Sequence, residues 1–258
     1  MSKAQDGGSA DWDAHWPKVA SWMQTNPAYK YRQKLIWRTL ALPAAPTPIR
    51  VLDIGCGDGS FLRSVAAFRA DATLAGLDGS EEGLAIARSA LTGAMLDRVD
   101  LLALPSDVSA RLGGFATHAL CSEVIEHVDE PVRLLAAIRP LMAPDGALVV
   151  TVPAGPMSAF DRHVGHSKHY SADTLSGECR EAGWRVEVLQ RAGFPFHTLY
   201  RLMVLARGEA AVDDSKGRSG AASGALSTLA FKTFDALNAF NSGDAPLGWQ
   251  FVARLRPS

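Results

Sequence analysis

The run Ile49-Arg50-Val51-Leu52-Asp53-Ile54-Gly55-Cys56-Gly57-Asp58-Gly59-Ser60-Phe61-Leu62 constrains this chain more than any other. Its first residues are apolar and partly β-branched, which reads as a buried strand. Three glycines on alternate positions follow, and a helix-compatible apolar segment continues to about Phe68. The pattern is a strand, a tight turn and a helix start. Glycine there permits positive φ and lets a ligand approach the backbone where a Cβ would block it.

The spacing narrows the ligand. A dinucleotide fingerprint is G-x-G-x-x-G, whereas Gly55, Gly57 and Gly59 give G-x-G-x-G with Ser60 next. A phosphate-cradling loop ends in Gly-Lys-Ser/Thr, which is absent here. Asp53 stands two residues before the first glycine, inside the strand end. The whole string Val-Leu-Asp-Ile-Gly-Cys-Gly-Asp-Gly resembles the first motif of the class I, Rossmann-like S-adenosylmethionine-dependent methyltransferases. That resemblance implies an α/β fold: a seven-stranded, mostly parallel sheet with helices on both faces and an antiparallel last strand. It also implies an S-adenosylmethionine site built from Asp53, Gly55, Cys56, Gly57 and Gly59, with Gly79 and Cys121 on the same sheet edge.

The rest of the chain alternates strand and helix patterns, as a parallel sheet requires. Thr73–Asp78 reads as the second strand, and Ser80 followed by Glu81 and Glu82 reads as a capped helix start. Asp78 ends that strand 19 residues after Gly59, where a carboxylate can accept from the two ribose hydroxyls of an adenosine. Val99–Leu104 reads as the third strand and Pro105-Ser106-Asp107 as the turn after it. The family resemblance places the adenine there, beside Ser106 and Asp107. Thr117–Cys121, Ala147–Val152 and Trp184–Leu189 read as further strands, and Trp249–Leu255 as the last.

Two stretches carry reactive groups. Glu123, Glu126 and His127 stand at i, i+3 and i+4 directly after the fourth strand. On a helical turn they share one face, and two carboxylates with an imidazole can bind a divalent cation. The second stretch is Phe160 to Tyr170, where His163, His166 and His169, three of the chain's seven histidines, recur at intervals of three. Glu-x-x-Glu-His followed by Arg162-His163-Val164-Gly165-His166 is similar to two metal-dependent O-methyltransferase groups. One is the ubiquinone-biosynthesis O-methyltransferases. The other is the small-RNA 3′-terminal 2′-O-methyltransferases. The resemblance implies that Glu123, Glu126, His127 and His166 hold Mg²⁺ or a similar cation, which chelates neighbouring oxygens of the acceptor.

The residues alone leave three roles open for this set: metal binding, metal-free acid/base chemistry, or capping of a helix start. Glu126, His163, His166 and His169 are the catalytic candidates. With His166 as a ligand, His163 or His169 is the base, since an unperturbed imidazole has a pKa of about 6.5.

Composition bounds the alternatives. The chain has 258 residues, 47% hydrophobic and 21% charged, with a net charge of −1. That balance gives no electrostatic support to nucleic acid as a partner. Three widely spaced cysteines argue against a disulfide framework and fit a cytoplasmic setting. No apolar run is long enough to span a bilayer.

The expected organisation is a single domain over 1–258. Residues 1–48 form an aromatic-rich helical cover, divided at Asn26-Pro27, with Tyr29 and Arg32 as candidates to touch the cofactor cleft. Residues 49–190 form the cofactor-binding core, and 191–247 a helical insertion containing a flexible linker at 208–224. Residues 248–258 form the last strand. The apolar helices of the insertion leave three uses open besides core packing: lining an acceptor pocket, a homodimer, or contact with a membrane surface. The expected activity is methyl transfer to a hydroxyl of a small molecule, such as a vicinal diol or catechol. Metal-free N- or O-methylation of a natural product and a non-catalytic cofactor-binding scaffold are the alternatives.

Overall fold

The computed structural model describes Asp13, Trp16 and residues 26–45, 47–215 and 225–258. The chain runs α1 (Pro27–Leu40), β1 (Arg50–Ile54), α2 (Ser60–Phe68), β2 (Thr73–Asp78), α3 (Glu81–Ala90), β3 (Met95–Arg98), α4 (Ser106–Leu112) and β4 (Ala116–Ser122). It continues through α5 (Pro131–Ile138), β5 (Met142–Pro153), α6 (Ala159–His163), α7 (Ala172–Glu181) and β6 (Trp184–Ala192). It ends with α8 (Phe196–Arg207), α9 (Glu209–Ser215), α10 (Ala225–Leu237) and β7 (Gln250–Pro257).

The strands form one seven-stranded sheet in the order β3-β2-β1-β4-β5-β7-β6. Pairing is parallel from β3 to β5, and β7 is antiparallel to both neighbours. Strand side chains alternate between two cores. Leu52, Ile54 and Leu148 face a core shared with α4, α5 and α7. Val51, Leu120 and Val149 face one shared with α1, α2 and α3. This is the doubly wound sheet that the alternating pattern and the glycine loop imply. The order reverses between β1 and β4, so the ligand crevice lies beyond their carboxyl ends.

Two expectations need correction. The third strand is Met95–Arg98, not Val99–Leu104. The Val99 amide makes the last bond to β2, at the Asp78 carbonyl (2.9 Å). Asp100 then turns the chain, its carboxylate accepting from the Leu102 amide (2.8 Å). Ser106 and Asp107 are not in a turn but open α4, where both are exposed. The histidine stretch begins as a short helix, because Ser158 and Asp161 form a capping box at its start.

At the N-terminus, Asn26 caps α1 as the Asn-Pro pair implies. The helix expected before it lies outside the described residues apart from Asp13 and Trp16. Within the expected linker, Glu209–Ser215 is helical, and 216–224 lies outside the described residues. The insertion helices α8 and α10 both pack on α1. Lys30 and Lys34 reach Asp235 at 3.2 and 3.3 Å. No helix among the described residues is long and apolar enough to cross a membrane.

Trp184, 1% exposed, ties β6 to α5 through a bond from its indole N–H to the Leu135 carbonyl (2.9 Å). Trp184→Phe removes that donor and part of the ring. It is expected to lower stability by about 1–2 kcal/mol, read as a fall in the urea midpoint at unchanged slope.

Candidate functional site

Two clusters meet at the carboxyl edge of the sheet. The first is the glycine loop. After β1, Gly57 has φ of +50°, and its amide donates to Asp78 Oδ2 at 2.7 Å. The other oxygen, Oδ1, accepts from the Ser80 amide at 2.7 Å. Asp78 therefore fixes both the turn after β1 and the start of α3. Burial raises its carboxyl, against the backbone amides that lower it. Asp53 is fully enclosed, and burial, then Asp78 and Asp58, push it well above the usual carboxylate range. Cys56 and Cys121 are buried thiols, both raised by burial. Gly79 accepts from Arg98 Nε at 3.1 Å. Three carboxylates beside a loop of backbone amides suit a ligand that carries a cationic group.

Four described residues of the N-terminal part, Asp13, Trp16, Tyr29 and Arg32, lie near this loop. The Ser80 hydroxyl donates to Asp13 at 2.6 Å. The Trp16 ring lies against Gly57 and Gly83, where any Cβ would collide with it. Burial raises the Tyr29 phenol, and the Arg32 guanidinium lies 5.6 Å from the centre of its ring. Arg32 reaches past the loop to Glu123, with Nη1 at 3.3 Å from Oε2.

The second cluster follows β4. Glu123 has φ of +56°, a left-handed conformation that costs a non-glycine residue free energy and persists only where the surroundings impose it. Here Thr151 Oγ1 and Gln250 Nε2 donate to Oε1 at 3.1 and 2.9 Å, and Arg32 holds Oε2. Burial opposes its charge, but Arg32 and the Gln250 amide outweigh it and hold the carboxyl below its ordinary value. The positive φ breaks the helical register, so Glu123 does not share a face with Glu126 and His127.

Glu126 lies on a single 3₁₀ turn, Ile125–His127, and is 0% exposed. Neither carboxylate oxygen has a hydrogen-bond partner among the described residues. Burial and then Glu123 push the carboxyl well above its usual range. Its main-chain carbonyl accepts from the Ser167 amide (2.9 Å) and hydroxyl (2.8 Å), which pins the histidine segment onto this turn. The His127 and His166 rings meet edge to face, with centroids 4.7 Å apart. Ligand atoms of Glu126, His127 and His166 lie within 4.8 Å of one another.

Burial keeps all three site imidazoles neutral, taking His166 down to about 3 and lowering His127 and His169. Hydrogen bonding sets the tautomers. His169 Nδ1 is 2.9 Å from the Gly155 carbonyl, so it carries the proton and Nε2 is the acceptor. His166 Nδ1, 3.3 Å from that Nε2, then carries its own proton. The His166 Nε2 lone pair is left for a ligand or a proton.

Asp161 was not foreseen as part of this site. It is buried and accepts from the Ser158 amide (2.8 Å) and hydroxyl (2.7 Å) and from Arg201 Nη2 (2.8 Å). Burial opposes its charge, but Arg201 and Ser158 win and lower the carboxyl. Asp161, His166 and His169 form a second group within 4.8 Å. His163 is exposed at the end of α6 and belongs to neither group.

A family sequence model described as a methyltransferase domain matches residues 23–189. The ubiquinone biosynthesis O-methyltransferase of Roseobacter denitrificans is 29% identical over 177 residues, 63% of this chain and 69% of that protein. Its namesake from Thiobacillus denitrificans is 34% identical over 115 residues, 44% of this chain and 47% of that protein. Among solved structures, an S-adenosylmethionine-dependent methyltransferase of Thermotoga maritima aligns with a TM-score of 0.61 at 17% identity, covering 96% of this chain and 98% of that one. At that identity the likeness shows the fold alone.

Proposed function

This chain belongs to the S-adenosylmethionine-dependent methyltransferases, and on that premise we propose that it methylates a hydroxyl oxygen of a small molecule with the help of a divalent cation. One observation carries the cation: Glu126 is a fully buried carboxylate with two unpartnered oxygens beside two neutral imidazoles. An unpaired buried carboxylate is costly, and a cation is the partner that makes the arrangement favourable. The residues that would hold it are Glu126, His127 and His166. A donor set of one carboxylate and two imidazoles suits Mn²⁺, Fe²⁺ or Zn²⁺ better than Mg²⁺, which prefers oxygen ligands and water. The O-methyltransferase names of the relatives support oxygen as the acceptor.

Bound at these sites, the sulfonium would supply an electrophilic methyl group and the cation would stabilise the acceptor oxyanion. An O–CH₃ bond forms as the S–CH₃ bond breaks. The chain's residues do the rest. Asp78 and the glycine-loop amides would hold the nucleoside, with Asp53, Ser106 and Asp107 as the further residues to contact the cofactor. Tyr29 and Trp16 exclude water. Glu123 is the group left to receive the hydroxyl proton, because His163 is exposed and both His169 nitrogens are engaged, Nδ1 by the Gly155 carbonyl and Nε2 by His166.

The metal-free reading rests on the His166–His169–Gly155 relay, in which the open His166 Nε2 takes the proton. The test is methyl transfer to a panel of catechols and hydroxy acids, with and without chelator. Activity lost in chelator and restored by Mn²⁺ is expected. Activity retained in chelator favours the relay. Failure to bind S-adenosylhomocysteine by calorimetry overturns the whole reading.

A further inference from the structure

Helix α8 lies outside the sheet, yet two consecutive residues of it reach two different parts of the site. The Tyr200 phenol accepts from Asn26 Nδ2 at 3.3 Å, the residue that caps α1. Its ring meets Phe231 and Phe234 of α10 edge to face, with centroids 6.4 and 5.5 Å apart. These contacts anchor α8 on α1 and α10. The next residue, Arg201, donates from Nη2 to Asp161 Oδ1 at 2.8 Å. The pair is enclosed, with side chains 15% and 1% exposed.

The cap of α6 does not need Arg201. The Ser158 amide and hydroxyl both donate to Asp161 Oδ2, so Oδ1 is the oxygen that the cap leaves over. Both oxygens adjoin the histidine pair. Oδ1 is 4.0 Å from His166 Nδ1, and Oδ2 is 3.6 Å from His169 Nε2. The Asp161 carbonyl also accepts from the His166 amide at 3.0 Å. One residue therefore sets the backbone of His166 and faces its ring.

This arrangement is a competition for one proton. While the guanidinium occupies Oδ1, the His166 Nδ1 proton goes to His169 Nε2 at 3.3 Å. Without the guanidinium, Oδ1 is a buried anionic oxygen with no donor, which is costly. The His166 Nδ1 proton is then within reach, and an ionised oxygen outcompetes a neutral imidazole nitrogen for it. Closing that gap to hydrogen-bond length moves the His166 ring by about 1 Å. Coordination tolerates about 0.2 Å, so the ligand atoms of Glu126, His127 and His166, now within 4.8 Å of one another, lose their fit.

We infer that Arg201 is a positioning residue of the cation site: by occupying Asp161 Oδ1 it leaves the His166 ring beside Glu126 and His127, and it makes α8 part of that site. This inference rests on the cation reading above.

The test is calorimetric titration of the full chain with Mn²⁺ and, separately, with S-adenosylhomocysteine. Arg201→Met is expected to weaken Mn²⁺ binding at least about tenfold and to leave S-adenosylhomocysteine affinity within about twofold of wild type. Histidine-selective ¹⁵N–¹H NMR of the metal-free protein is read beside it. The His166 Nδ1 proton is expected to shift downfield in Arg201→Met, as its acceptor changes from imidazole to carboxylate. Arg201→Gln keeps one neutral donor and is expected to lose about threefold in Mn²⁺ affinity, so it carries the test if Arg201→Met does not fold.

A merely structural role would weaken both ligands together and leave the His166 proton resonance in place, and that result overturns the positioning role. Mn²⁺ affinity at the wild-type value in Arg201→Met, or in Arg201→Gln where that variant carries the test, overturns it too and leaves the cation reading standing. No Mn²⁺ binding in wild type would instead overturn the cation reading, and this inference with it.

Discussion

Replacing Glu126 by leucine is expected to stabilise the metal-free protein and to abolish its uptake of divalent cations. The carboxylate is 0% exposed with both oxygens unpartnered, so folding strips its hydration and returns nothing. Leucine has a similar volume and no polar atoms. The expected gain is about 1–3 kcal/mol, or roughly 2–4 °C in melting temperature per kcal/mol for a domain of this order. The pH dependence identifies the source. An unfolded glutamate ionises near about 4.3, whereas Glu126 in the fold is held well above that. Between those values the native state binds the extra proton, so stability falls as pH rises. The gain from leucine is therefore small at about pH 4 and grows as pH rises toward the folded value. Asp53 and Asp78 are also raised, but they are common to both proteins and drop out of the difference. Melting curves across pH, with Mn²⁺ calorimetry beside them, check both halves. A leucine variant that is less stable at every pH would show that Glu126 is already satisfied without a cation.

That pairing of stability cost with function explains what was legible in the sequence and what was not. The glycine loop was legible because local backbone demands a particular residue at each position, and Asp78 followed from its place at the next strand end. The parallel sheet followed from alternation, and its antiparallel last strand from the family resemblance. β3 was misplaced because Met95–Arg98 is a short edge strand with no apolar run, while Val99–Leu104 has one but is turned by Asp100. The second cluster was only partly legible. Its residues stand together in sequence, but helical spacing puts Glu123, Glu126 and His127 on one face, and the left-handed Glu123 turns that carboxylate toward Arg32 instead. The bonds that impose this conformation come from Thr151 and Gln250, far along the chain, and no local pattern announces them. Asp161 was hidden for a related reason. Ser158-x-x-Asp161 reads as a helix cap, which it is, and the same carboxylate also faces Arg201 and two histidines. His197 carried no motif: its ring packs on Tyr31, and its nitrogens have no partner among the described residues.

Asp78→Ala is expected to weaken S-adenosylhomocysteine binding by at least about a hundredfold. The side chain accepts from the Gly57 and Ser80 amides at 2.7 Å each, so its removal leaves two enclosed donors unpaired and frees the turn between β1 and α2. On the proposed cofactor site, the ribose would lose its acceptor in the same step. Each unpaired buried donor costs about 1–3 kcal/mol, and about 1.4 kcal/mol is a factor of ten, which sets the scale. Asp78→Asn keeps one acceptor oxygen but points an amide N–H at a second N–H, so it should fall between alanine and wild type. Gly57→Ala reaches the same loop by another route. Its φ of +50° disfavours any side chain by about 1 kcal/mol, and the added methyl collides with the Trp16 ring. If that collision dominates, Trp16→Ala combined with Gly57→Ala should recover more affinity than the two single effects predict. If backbone strain dominates, the two changes should add. Calorimetry on the five proteins separates these cases, and an Asp78→Ala variant that binds the cofactor like wild type would remove Asp78 from the site.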